Sequence, residues 1–86
     1  MNINELNEIV KIKLEKEIKI EDLLIEDKSF LHKNHKTNQP GKFHIKLTIK
    51  SKVLRNLSKI ESNKIIYKVL NDEIKNFIHS IQILII

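Results

Sequence analysis

The sequence contains no cysteine, and it has only one glycine, one proline and one arginine among its 86 residues. Without cysteine the chain can form no disulfide, cannot carry out cysteine catalysis and cannot build an all-cysteine zinc site. No apolar run approaches the roughly 20 residues of a transmembrane helix, and the first residues lack a basic stretch followed by an apolar run. These absences favour a cytoplasmic protein that does not enter a membrane.

Arginine is scarce although the chain is basic. There are 16 Lys and Arg against 11 Asp and Glu, a formal charge of +5. Such an excess favours nucleic acid, an anionic surface or an acidic partner without choosing among them. A single arginine, Arg55, is unusual for a dedicated DNA reader, because arginine makes the commonest base-specific contact. Apolar residues make up 41% of the chain, enough for one globular domain over residues 1–86.

The first half of the chain divides into a helix, a strand and a loop. Residues 4–18 carry an apolar stripe at spacings of three and four, with Asn4 as a plausible cap, and this pattern predicts an amphipathic helix. Residues 20–26 are short and rich in branched side chains, which indicates a strand. Residues 27–42 have no apolar period and contain the adjacent Pro40 and Gly41, so they are predicted to form a long loop that ends in a turn.

The second half begins with a strictly alternating strand, "FHIKLTIK", at residues 43–50. Ser51 then caps a short helical turn that closes at Asn56, a residue that tolerates the left-handed conformation. Ser58 and Glu61 have the spacing of a capping box, and helical spacing continues from there to Ile78. The β-branched stretch from residue 79 predicts a last strand, placed so that both faces are at least partly covered.

The element order is therefore α-β-β-α-α-β. It predicts an α+β fold in which a three-stranded mixed sheet has its helices on one face. A helix-turn-helix lies between the second and third strands.

Histidine is concentrated in one region of the sequence. His32, His35 and His44 fall within residues 31–44, whereas His79 lies far along the chain between two apolar runs. The residues alone leave a metal site, a basic loop and a solvated loop open. The alternation places His44 on the polar strand face beside Lys46, where nothing structural needs it, and His79 on the face shared by Ile81, Ile83 and Ile85.

These residues, in this order, resemble the BolA family. The segment "DKSFLHKNH" has the spacing of the family's D-x-S-x-x-H-A-G-H segment, with Asp27, Ser29, His32 and His35 in the matching positions. His44 stands at the family's T/S-H-F strand start, and "IHSI" at 78–81 matches its V-H-A-L type signature at His79. The match between them continues through Ser51, Leu54, Asn56, Tyr67, Leu70 and Glu73.

The resemblance implies a class II KH-like fold and a partnership with monothiol glutaredoxins through a shared 2Fe–2S cluster. In such complexes the glutaredoxin side supplies a cysteine and glutathione. By position, His79 is the first ligand from this chain, and His35 or His44 is the second, with His32 as a further candidate. Two neutral imidazoles can replace two thiolates on one iron. The isolated chain is expected to be a monomer that holds no cofactor.

The chain departs from the family pattern in two places. The family's F-x-G turn is here Leu54-Arg55-Asn56, which is tolerable because Asn can replace Gly at a left-handed cap. The second departure affects the alternative function, which is DNA binding by a transcriptional regulator. The family's R-H-R before the helix is here Ser62, Asn63 and Lys64, which removes a histidine and thins the basic surface. The chain also lacks the GXXG loop with which KH domains clamp nucleotides. The candidate DNA contacts are Lys42, Lys46, Lys50, Lys52, Arg55, Lys59, Lys64 and Lys68. No catalytic set is suggested by spacing, so the chain is not expected to be an enzyme.

Overall fold

The structure is a computed structural model that describes residues 1–29 and 42–86. The described elements are α1 (Ile3–Glu17), β1 (Asp22–Asp27), β2 (Phe43–Lys50), α2 (Lys52–Arg55), α3 (Lys59–Val69), α4 (Asn71–Asn76) and β3 (Ile78–Ile85). The sheet order is β1-β2-β3, with β1 antiparallel and β3 parallel to β2. The predicted α+β fold with a three-stranded mixed sheet is therefore confirmed. No helix in these residues is long and apolar enough to cross a membrane.

The core lies between the helices and one face of the sheet. Ile45, Leu47 and Ile49 of β2 are almost fully buried, as the alternating pattern predicted. They pack with the stripe of α1 and with Ile66 and Leu70 near the end of α3. The even-numbered positions of β2 beyond His44 are half-buried or exposed, so the helices cover the odd-numbered face and leave the other face open.

Serine side chains define the two helix starts that follow β2. The Ser51 hydroxyl accepts a hydrogen bond from the Leu54 N–H at 3.2 Å and donates to the Lys19 carbonyl at 2.8 Å. It therefore caps α2 and also ties this turn to the connection between α1 and β1. Ser58 caps α3 by accepting from the Glu61 N–H at 3.1 Å, as the sequence predicted.

Three local predictions need correction. The cap of α1 is Asn2, not Asn4: its extended backbone lets the side-chain oxygen accept from the Glu5 N–H at 2.8 Å. The first strand begins two residues later than predicted, at Asp22. Asn56 has φ of −81° and ψ of −7°, so it closes α2 in a right-handed conformation and not in the left-handed one.

The long helix predicted from Ser58 to Ile78 is in fact two helices. Leu70, with φ of −98° and ψ of 18°, separates α3 from α4, and Ile78 already belongs to β3. Ile66 of α3 and Leu70 at the break are completely buried, and Ile74 of α4 packs against the same core. The apolar spacing therefore runs through the break without revealing it.

The position of β3 agrees with the prediction only in part. β3 is an edge strand of the described sheet, and Leu84 on its open face is 46% exposed. In the parallel register Leu84 lies opposite Thr48, on the face that the helices leave open. The prediction that both faces of this strand are at least partly covered is met only weakly on the open face, where about half of Leu84 is exposed.

Candidate metal centre beside a bulge in the sheet

A register shift at the start of the β2–β3 pair creates the site. Phe43 pairs with Ile78, but the next residue, His44, pairs with Ser80, so His79 is the extra residue of a bulge. Bulges are rare between parallel strands, and they often re-aim a side chain next to a functional site. This bulge brings His79 beside His44, although the two residues are 35 positions apart in the chain.

The two imidazole rings are in contact. Their centroids are 4.7 Å apart and their planes are tilted by 30°. His44 is only 5% exposed, whereas the side chain of His79 is open to solvent. The Nδ1 atom of His44 lies 2.6 Å from the Ser80 hydroxyl oxygen, and the direction of this hydrogen bond depends on the tautomer of the ring. One ring of the pair is thus held in place and the other is accessible.

The backbone of His44 is fixed by the residues that follow β1. The His44 N–H donates to the Ser29 hydroxyl at 3.1 Å, and its carbonyl accepts from the Lys28 N–H at 2.7 Å. The Ser29 N–H in turn donates to the Asp27 carboxylate at 2.9 Å. Asp27 and Ser29 therefore anchor the start of β2. Both residues belong to the segment that resembles the D-x-S-x-x-H-A-G-H pattern of the BolA family.

The structure corrects the surroundings predicted for both histidines. His44 does not stand free on a polar face, because residues 28 and 29 and Ser80 hydrogen-bond to it and it is buried. His79 does not share the inward face of Ile81, Ile83 and Ile85, because the bulge interrupts the alternation and leaves it exposed. His32 and His35 lie outside the described residues.

The pair supplies two nitrogen ligands at most from the described residues. In residues 1–29 and 42–86 no group of three or more metal-ligating side chains comes together. Two nitrogens bound to one metal at about 2.0–2.1 Å lie within about 4.2 Å of each other, and rotation of the exposed His79 ring could satisfy this. A ligating histidine usually hydrogen-bonds through its other ring nitrogen, and Ser80 offers such a contact to His44.

The donor set therefore fits an iron site that is completed by another molecule. Imidazole nitrogen suits iron, and two histidines on one iron of a two-iron cluster are known chemistry. A structural zinc site would need four ligands from one chain, which the described pair does not provide. Sequence reasoning missed Ser80 as the partner of His44. The one signal in the sequence was that Ser80 stands where the V-H-A-L type signature of the BolA family has alanine.

The basic residues do not form one surface. Lys46 and Lys50 project from the even-numbered, open face of β2. Lys52 and Arg55 belong to α2, and Lys59, Lys64 and Lys68 belong to α3, on the side where the helices cover the sheet. All of the helical members are exposed. Lys42, which precedes β2, is half-buried.

The fold and the site together define a class: a small α+β domain that presents a pair of imidazoles at one end of a parallel strand pair. The family model for BolA-like proteins matches residues 14–86. The chain therefore belongs to the BolA-like protein family.

Individual relatives agree with this assignment. The chain is 32% identical over 76 residues to the DNA-binding transcriptional regulator BolA of Haemophilus influenzae, covering 88% of this chain and 71% of the relative. It is 32% identical over 79 residues to SufE-like protein 1 of Arabidopsis thaliana, covering 86% of this chain but only 21% of that longer protein.

Solved structures agree as well. The BolA domain of SufE1 from Arabidopsis thaliana superposes with a TM-score of 0.77 at 28% identity, covering 99% of this chain and 92% of that domain. BolA1 from the same organism gives 0.71 at 26% identity, covering 88% and 83%.

Proposed function

We propose that this BolA-like protein is a non-enzymatic, cytoplasmic adaptor that binds a monothiol glutaredoxin and shares a 2Fe–2S cluster with it, in the assembly or trafficking of such clusters. The observation that carries the proposal is the contact between the rings of His44 and His79, 4.7 Å apart across the bulge. When bound, the cluster supplies iron that accepts imidazole nitrogen in place of thiolate.

The two histidines have different parts in this proposal. His79 is exposed and can reach an iron that a partner carries, so it is the first ligand. The second ligand is His44, whose ring is held by Ser80, or one of the loop histidines, His35 and His32. The partner supplies the sulfur ligands, because this chain has no cysteine.

The test is co-expression with a monothiol glutaredoxin, followed by purification and visible absorption spectroscopy. The isolated chain is expected to be colourless and folded without metal, whereas the complex is expected to be coloured. His79→Ala should remove or strongly alter the absorption, because a methyl group cannot ligate iron. Gln82→Ala, an exposed change farther along the same strand, is the matched control and should leave the spectrum as it is.

The result that would contradict the proposal is an unchanged spectrum of a His79→Ala complex that still forms. Acid provides a second test. Only neutral imidazole binds metal, and a free imidazole protonates with a pKa of about 6.5, so the cluster should be lost more readily below about pH 6. A cluster whose stability did not respond to pH in this range would argue against imidazole ligands.

A second candidate function is DNA binding by a helix-turn-helix within a class II KH-like arrangement. Two observations favour it: a relative named as a DNA-binding transcriptional regulator, and the exposed cations on α2 and α3. The short turn at residues 56–58 joins these helices. A DNA reader should lose affinity steeply with salt and prefer one sequence, and gel-shift titrations at two salt concentrations measure both properties.

A further inference from the structure

The outer edge of β3 presents a row of backbone groups that pair with nothing in the described sheet. The Ile86 N–H donates to the Ile49 carbonyl, so the even-numbered residues of β3 face β2. By strand alternation, the N–H and carbonyl groups of Ile81, Ile83 and Ile85 point away from the sheet. Among residues 1–29 and 42–86 no strand lies beyond them.

The two edges of this sheet differ in charge. β1, at the opposite edge, carries Asp22, Glu26 and Asp27. β3 contains no Asp, Glu, Lys or Arg over its eight residues. Charged residues are a common protection of an edge strand against pairing with another chain. The edge at β3 lacks this protection and is therefore the edge at which another strand can be added.

A cavity runs along the same edge. It has a volume of about 290 Å³ and is lined by the three consecutive strand residues Ile83, Leu84 and Ile85 and by residues of α2, α3 and the turn between them. Leu54 and Leu57 contribute apolar walls. This volume is just below the range for ligand pockets, which is about 300–1,000 Å³, so it suits one or two side chains better than a cofactor.

The cavity is electropositive. Arg55 and Lys59 line it and both are exposed, and no acidic side chain of the described residues is part of its lining. An apolar floor with a basic rim selects a ligand that carries an apolar group next to a negative charge. Recognition by strand addition uses two elements: unpaired backbone groups at a strand edge, which give affinity, and an adjacent pocket, which gives specificity. The outer edge of β3 and this cavity supply both.

We propose that β3 binds an extended acidic peptide segment of another protein as a fourth strand. One apolar side chain of the peptide enters the cavity between β3 and the α2–α3 turn, and an Asp or Glu two residues away, on the same face of the added strand, lies near Arg55 and Lys59. The inference is independent of the shared cluster, since it uses neither histidine.

The same observations disfavour two other occupants. A second copy that added its own β3 would bring no acidic residue to Arg55 and Lys59, because β3 has none. A single-stranded nucleic acid is usually held by aromatic side chains on which bases stack, and no aromatic side chain of the described residues lines this cavity.

The test uses a seven-residue synthetic peptide with valine and glutamate taking turns at every second position and threonine between them, so that both lie on one face of the added strand. It is titrated into the isotopically labelled chain and followed by NMR. Saturable shifts are expected at the amides of Ile81, Ile83 and Ile85. The same peptide with lysine in place of glutamate should bind on the order of tenfold more weakly, or not at all. The double variant Arg55→Glu/Lys59→Glu should weaken binding of the glutamate peptide by a similar factor.

Two controls make the result specific. The double variant Lys11→Glu/Lys75→Glu makes the same change of charge at exposed positions on α1 and α4, and it should bind the glutamate peptide as the wild type does. Peptides methylated on alternate backbone nitrogens test the strand pairing. Only one of the two alternating patterns faces β3, so one should abolish binding and the other should be tolerated.

Several outcomes would overturn the inference. They are the absence of saturable shifts at millimolar peptide, equal effects of the two methylation patterns, and equal binding of the lysine and glutamate peptides. Concentration-dependent dimerisation that protects the β3 amides without peptide would assign the edge to a second copy. Binding of single-stranded DNA at these amides, lost in the Arg55→Glu/Lys59→Glu variant, would assign it to nucleic acid.

Discussion

Replacement of each histidine of the pair by alanine should have very different effects on the stability of the isolated protein. His44 is 5% exposed and hydrogen-bonded to Ser80, whereas His79 is open to solvent. Truncation of His44 removes a hydrogen bond of about 1 kcal/mol and leaves part of a buried ring's volume empty. An imidazole is smaller and more polar than the rings of Phe or Trp, so we expect a total cost of about 2–3 kcal/mol.

For His79→Ala we expect a cost of no more than about 0.5 kcal/mol, because the side chain is open to solvent and loses only its contact with the His44 ring. A domain of this size has a total stability of about 4–13 kcal/mol, so His44→Ala removes a substantial part of it. Its melting temperature should fall by about 8–24 °C, while that of His79→Ala should stay close to the wild-type value.

The assay is thermal and urea unfolding of the metal-free proteins, followed by circular dichroism. Equal destabilisation by the two substitutions, or an effect of His44→Ala below about 0.5 kcal/mol, would refute the burial argument. The difference also matters for the cluster experiment. Cluster loss in His79→Ala can be read as a lost ligand, whereas loss in His44→Ala must first be corrected for the fraction of unfolded protein.

Two further predictions concern the serine caps and a partly exposed ion pair. Ser51→Ala should lower the free energy of unfolding by about 2 kcal/mol, because it removes both a helix cap and a hydrogen bond to the Lys19 carbonyl. Ser58→Ala removes only a helix cap and should cost about 1 kcal/mol. Urea unfolding of the two variants measures both costs, and equal values would contradict the double role of Ser51. The hydrogen bond and charge of Glu73, 2.7 Å away, raise the pKa of Lys13 above its ordinary value of 10.5. The ion pair therefore stabilises the folded protein fully below pH 10.5, and this stabilisation is lost as the pH rises through the raised pKa of Lys13. The difference in unfolding free energy between the wild type and Lys13→Met should shrink over that pH range. A difference that stayed constant up to pH 12 would argue against the ion pair.

The sequence predicted the elements better than their ends. The alternation of β2 and the serine caps are signals within a few residues, and they placed β2 and the starts of α2 and α3 correctly. The break at Leu70 has no such signal, because no glycine or proline marks it and the buried spacing is kept on both sides. Ile74 of α4 packs against the same core as Leu70, so the apolar spacing does not mark the break.

The candidate site shows the same limit more clearly. The resemblance selected all four histidines, and the two that lie in the described residues, His44 and His79, are in contact. Their environments could not be predicted, because the bulge that exposes His79 results from the pairing of β2 with β3 and not from a local pattern. The burial of His44 likewise depends on Ser29 and Ser80, which come from opposite sides of the strand in space.

The two proposed sites lie on one strand: the edge that would pair with a peptide begins at Ile81, but the cavity that gives it specificity lies at the far end from His79. His79 is at the beginning of β3, and the cavity contacts Ile83, Leu84 and Ile85 near its end. At about 3.3 Å per residue, His79 and Leu84 are roughly 17 Å apart along the strand. A glutaredoxin that reaches His79 need not cover the outer edge, so we predict that the acidic peptide binds the free chain and the glutaredoxin complex with affinities within about threefold of each other.

The measurement is the same peptide titration, performed on the isolated chain and on the purified coloured complex, with the Arg55→Glu/Lys59→Glu variant as the control for specific binding. Loss of peptide binding in the complex, with binding retained by the free chain, would mean that the glutaredoxin itself occupies the β3 edge. The acidic segment would then have to be sought in that partner, and the two sites would be parts of one interface.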